Sequence, residues 1–164
     1  MCPFSSLQHP TLREGSFSNS LEEWAEGRVF QCWLAEARVI GKDELGSDHM
    51  LGIELTPHEY VGALSDFTGE LGRLAVKKAS ARQLEGVRQI QEVIGAVVQS
   101  MLVQGLSEKF GQKFKAMANN LQKVDDLIYE LSMMQKSGSN RPKMGIQADG
   151  EGNAGDATMC GTDA

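Results

Sequence analysis

The stretch Ala63-Leu64-Ser65-Asp66-Phe67-Thr68-Gly69-Glu70-Leu71-Gly72-Arg73-Leu74 decides the fold, because it reads as the middle of a packed helix that carries acid beside its apolar face. Tyr60, Leu64, Phe67, Leu71 and Leu74 recur at alternating four- and three-residue steps, the repeat of one helix face. At about 100° per residue, Asp66 and Glu70 project one turn apart on the flank of that stripe. Acids so placed are either half-buried or line a cavity.

Working outward, Thr56-Pro57-His58-Glu59 supplies a cap, a proline at the first helical position and a glutamate at the third, so this helix is predicted over 56–78 and Glu59 has a structural job. Upstream, Ser20-Leu21-Glu22-Glu23 has the same capping-box form and predicts a helix over 21–40 that stops at Gly41. Leu21, Ala25, Cys32 and Val39 cover one side of it, and Phe30, Leu34 and Ala37 the other. A helix apolar most of the way round is normally enclosed by neighbours. Glu23 and Glu26 stand three residues apart there, and Glu26 has Val29, Phe30 and Trp33 at its neighbour positions. Glu23 is read either as the closing member of the capping box or as a site residue. Glu26 is read either as half of a buried ion pair, with Arg28 or Arg38, or as a functional acid.

The segment 41–55 holds glycines and polar residues and is predicted to be a connecting loop. A third helix is expected over 81–104, with Val87, Ile90, Ile94, Val97 and Met101 as its stripe. A fourth is expected over 107–136, striped by Phe110, Phe114, Met117, Leu121, Val124, Ile128 and Leu131. That last stripe is long enough to suggest packing against helices of another chain, with Met133 and Met134 as core or interface filling. The fold class is therefore all-α, a bundle of about four main long antiparallel helices. Residues 1–19 read as a flexible N-terminal arm, 20–136 as the helical domain, and 137–164 as a disordered, acidic, Gly-rich tail.

At 164 residues and 41% apolar, the chain has room for one core, and its net charge of −6 argues against holding nucleic acid by a basic surface of its own. An RNA substrate would need positive charge from another subunit. Cys2, Cys32 and Cys160 are odd in number and widely spaced, which fits reduced thiols of a cytoplasmic or nuclear protein better than disulfides or a zinc site. No apolar run reaches the length of a membrane span.

Chemistry is concentrated in four carboxylates on two helices: Glu23 and Glu26 on one, Asp66 and Glu70 on the other. Clustered acids bind hard divalent cations, and magnesium accepts one or two carboxylates while keeping waters and taking substrate phosphate oxygens. Such a site can activate water against a phosphodiester. His9, His49 and His58 are dispersed, so no histidine-based nucleophilic arrangement competes with it.

The run Asp66-Phe67-Thr68-Gly69-Glu70-Leu71, together with Leu21-Glu22-Glu23-Trp24-Ala25-Glu26 followed by Phe30-Gln31, resembles the two acidic helix motifs of the translin-associated factor X (Trax) family in the translin superfamily. The likeness covers roughly residues 21–144, with Arg141-Pro142-Lys143 fitting the family's last helix. It implies a translin-like helical bundle and a catalytic subunit that joins translin in a hollow hetero-octamer. That complex would be a magnesium-dependent endoribonuclease acting on single-stranded RNA, in passenger-strand removal during RNA interference or in processing of transfer-RNA fragments. Carried over, Glu23, Glu26 and Asp66 take the catalytic positions, and Glu26, Asp66 and Glu70 the metal-contacting ones. Glu70 discriminates less, since translin has glutamate there too. The family's N-terminal helices are expected to be missing before Ser20, and the alternative implied function is a non-catalytic translin-binding subunit that regulates nucleic-acid binding.

Overall fold

The computed structural model describes residues 15–46 and 54–139, and among these it contains six helices and no strand. They are α1 (Ser16–Glu36), α2 (Lys42–Gly46), α3 (Pro57–Ser80), α4 (Leu84–Val103), α5 (Leu106–Lys109) and α6 (Gly111–Ser139). The four long helices match the four expected from periodicity, and α2 and α5 are short additions. The expected arm and tail fall mostly outside the described residues.

α3 is the central element, packed against α1, α4 and α6. Its start follows from sequence. The Thr56 hydroxyl accepts from the Glu59 amide at 3.2 Å, while the Glu59 carboxylate accepts from the Thr56 amide at 2.7 Å, a complete capping box. Ser18 on α1 donates to the other Glu59 oxygen at 3.0 Å, which accounts for a carboxylate buried to 1% exposure. Leu64, Phe67 and Leu71 are buried on the predicted stripe. Val87, Ile90, Ile94, Val97 and Met101 of α4 and Met117, Val124 and Leu131 of α6 complete the core.

Helix directions follow from contact registers. Ser18 meets Glu59 and Phe30 meets Phe67, so α1 and α3 run the same way. Thr68 meets Asn120, and Val76 lines a groove with Lys123 and Leu127, so α6 is also parallel to α3 where it packs. α4 turns back after only Ala81–Gln83 and is antiparallel to both, with Arg82 at φ 57° making the reversal. Antiparallel pairing thus holds for α3 with α4 and for α4 with α6. The whole of α4 returns the chain between the parallel α3 and α6.

Several boundaries depart from expectation. α1 begins at Ser16, four residues before Ser20, whose hydroxyl donates to the Ser16 carbonyl at 2.9 Å inside the helix instead of capping it. Phe17 packs on the core and Ser18 reaches Glu59, so tertiary contact extends the helix past its local start signal. The capping-box role of Glu23 is thereby removed, and that side chain is exposed. α1 also ends at Glu36, with Ala37 left-handed at φ 54°, because Arg38 turns to pair with both Glu36 and Glu44. Nor is α1 enclosed: Leu21, Ala25 and Val29 are buried toward α3, whereas Leu34 is 63% exposed. α4 starts three residues later than 81, and the predicted fourth helix is broken at Phe110 into α5 and α6. Met133 and Met134 are exposed and so are not core.

Candidate carboxylate cleft

α1, α3 and α6 meet around a cleft of about 340 Å³ lined by Glu26, Ser65, Asp66, Gly69, Glu70, Arg73, Ala116 and Asn120. Its rear wall is built by packing. Phe67, between Asp66 and Thr68, is fully buried against Phe30 and Trp33 of α1, with ring centroids 6.1 and 6.3 Å away, and this clamps the acid-bearing turn of α3 to the acid-bearing turn of α1. On the third side, Asn120 of α6 donates to the Thr68 hydroxyl at 3.2 Å, and Thr68 itself donates to the Ser65 carbonyl at 2.8 Å. The polar floor is fixed on both helices as a result.

The helical spacing does what the sequence implied: Asp66 and Glu70 face one opening, and Glu26 comes to the same opening from α1. The Glu26 carboxyl is pushed above the usual 4.5, chiefly by burial, then by the negative charges of Asp66 and Glu70, with a smaller push from Glu23; Arg73 opposes them. Glu23 contributes charge but is exposed and does not line the cleft. The expected ion pair of Glu26 with Arg38 does not form, since Arg38 is engaged by Glu36 and Glu44. Arg73 is the cation at this opening, and it donates to the Glu70 carboxylate in a close salt bridge.

Among the described residues, no three His, Cys, Asp or Glu side chains stand close enough to form a ready-made metal trio. The donor chemistry nevertheless suits a hard cation: magnesium requires only one or two protein carboxylates, and Glu26 and Asp66 line one open cleft with Glu70 beside them.

Three participants were not singled out from sequence. Arg73 and Asn120 shape the opening, and Arg73 had a signal, sitting one turn after Glu70 on the same helix. Glu22 is the third. Its side chain is 12% exposed, accepts from Lys113 of α6 at 3.1 Å and lies 3.5 Å from His58 of α3, pinning three helices just below the cleft. Gly62 makes room for it: a Cβ there would lie 2.2 Å from a Glu22 carboxylate oxygen. A glycine in mid-helix, costly in itself, was the available clue to such a close approach.

An all-α bundle with an acidic cleft between parallel helices is the class of protein that the fold and site define. The Translin family profile matches residues 7–135, and the chain belongs to that family. No curated protein matches the chain. Among the described residues, no helix is long and apolar enough to cross a membrane.

Proposed function

We propose that this chain is a Trax-like catalytic subunit of a translin–Trax endoribonuclease, hydrolysing RNA phosphodiesters with magnesium. One observation carries the proposal: Glu26 from α1 and Asp66 and Glu70 from α3 line a single cleft, near enough that their charges raise the Glu26 carboxyl together. Unneutralised carboxylates crowded in this way are costly to folding, and a divalent cation relieves that cost. Glu26 and Asp66 are the residues that would hold magnesium, with Glu70 able to join once released from Arg73. Bound there, the ion would lower the pKa of a coordinated water and neutralise charge on the phosphate.

The chain's own groups supply the rest. Glu26 lines the cleft with a two-oxygen carboxylate, so an oxygen not given to the ion is placed to accept the proton of the attacking water. Asp66, exposed on the cleft wall, faces the same opening from α3 and presents the second carboxylate. Asn120 and Ser65 offer polar contacts within reach of a bound phosphate. Glu23 acts at a distance through charge. We further assign the partner as translin in a hetero-octamer, the substrate as single-stranded RNA held with the partner's help, the pathway as passenger-strand removal or transfer-RNA fragment processing, and the compartment as cytoplasm and nucleus.

A second reading has its own support. The Arg73–Glu70 salt bridge, which occupies one acid of the cleft, favours a non-catalytic subunit that binds translin and regulates nucleic-acid binding. The two readings are separated by co-expressing the chain with translin and assaying cleavage of single-stranded RNA in magnesium, beside Glu26→Ala and Asp66→Ala. Loss of cleavage by at least about a hundredfold in each is expected for groups of this kind. Unchanged cleavage in both would leave the regulatory reading.

A further inference from the structure

The carboxylate cleft does not end at Arg73. A second groove of about 330 Å³ adjoins it, sharing Gly69, Arg73 and Asn120 and continuing along α3 and α6 past Gly72 and Val76 to Lys123, Val124 and Leu127. Its charge is the reverse of the cleft's. In a chain with 22 acidic and 16 basic residues, this lining holds two cations, Arg73 and Lys123, and no acid. Both side chains are exposed and so can reach a ligand, Arg73 to 79%.

The floor is open as well. A Cβ at Gly72 would meet nothing within 4 Å, and one at Gly69 would only touch the Asn120 amide nitrogen at 3.8 Å, so two glycines one turn apart leave a shallow trough beside the α3 backbone. Val76 and Leu127 give it an apolar far wall, with Val76 53% exposed. A trough with cations on its rim, an amide donor at its entrance and an apolar side suits a polyanion whose bases are unpaired and have faces to bury.

We propose that this groove is the track of a single-stranded RNA backbone, in which Arg73 and Lys123 bind the phosphates next to the one lying in the carboxylate cleft. The assignment rests on the cleft being the place where RNA is handled. Arg73 serves both compartments: its guanidinium has donors to spare beyond the one given to Glu70, and a salt bridge this exposed is easily exchanged for a phosphate. Lys123 extends the line of positive charge by one more contact.

The test measures binding without cleavage. The full chain co-purified with a translin homologue is titrated in EDTA against a labelled single-stranded oligoribonucleotide across a range of salt, beside Arg73→Gln/Lys123→Gln and the control Lys115→Gln, which removes one positive charge elsewhere on α6. Lys115 is exposed on α6 but lines neither compartment. The double variant is expected to bind at least about threefold more weakly at low salt, with the log–log salt slope shallower by about 0.7 for each cation removed, and Lys115→Gln is expected to bind as the parent does. Parental affinity and slope in the double variant, or an equal loss in Lys115→Gln, would overturn the proposal. Because no metal is present, the outcome is independent of whether Glu26 and Asp66 cleave, and failure of the nuclease reading would show separately as cleavage that survives their removal.

Discussion

Glu26 carries the tension of the molecule in one side chain. Burial and the charges of Asp66, Glu70 and Glu23 all favour its protonated form, and Arg73 opposes them only in part. A carboxyl whose folded value is raised binds its proton more tightly in the folded chain. That contribution to stability is present below the unfolded value and is lost as pH rises through the folded one. At neutral pH the charged Glu26 is thus a net cost. Glu26→Gln in EDTA is expected to be more stable than the parent at pH 7, the gain kept small by solvent screening of a partly exposed group. The gap should close as pH falls toward the ordinary glutamate value of 4.5, as thermal unfolding across pH would show. Stability gained by removing a functional group is the usual sign of a site held together against its own repulsion. Asp66 and Glu70 were legible in the sequence as acids flanking a stripe, and so was the awkward placement of Glu26. That Glu23 would turn outward was not, since it depended on where α1 begins.

At the scale of elements, Gly62 and Glu22 link three helices. Glu22 reaches from α1 across Gly62 of α3 to Lys113 of α6, so space and charge are coupled at one crossing. Gly62→Ala is expected to push the Glu22 carboxylate off Lys113 and so to lose most of the roughly 1 kcal/mol that alanine gains as the better helix former. In a Glu22→Ala background the same change should become stabilising, because the three atoms nearest the new methyl are gone. A double-mutant cycle read by denaturant unfolding checks this, and additive effects would show that the close approach does not couple the helices. The existence and type of the four long helices followed from their stripes, which tertiary packing respected. Their ends did not. Ser20 offers a good local cap, yet α1 runs through it because Phe17 and Ser18 gain contacts on α3 that no local signal records. The 41–55 stretch hid α2, held by burial of Leu45 and by the Arg38–Glu44 pair.

For the whole molecule, an α6 of 29 residues is about 43 Å long at 1.5 Å per residue. Tyr129, Met133 and Met134 lie exposed toward its C-terminal end, at 67%, 46% and 63%. The length of that stripe suggested contact beyond the chain, and the exposed methionines fit such use within the assembly proposed above. Met133→Glu/Met134→Glu is expected to leave the fold intact, since neither residue is buried, and to weaken co-purification with translin about tenfold or more. Circular dichroism together with sizing of the complex would distinguish that from misfolding. Global charge was readable at once, whereas its local reversal along the Arg73–Lys123 groove was not, because the two cations come from different helices and only folding sets them on one rim.

The central claim is that Glu26 and Asp66 act as one unit across the α1–α3 junction, and single-turnover cleavage of single-stranded RNA by the translin complex carrying Glu26→Gln, Asp66→Asn or both measures this most directly. Residues that work as a unit are non-additive. Each single variant is expected to lose nearly all the rate, and the double variant to be no slower than the slower single. Parental rates in either single variant, or losses that multiply in the double, would contradict a shared site.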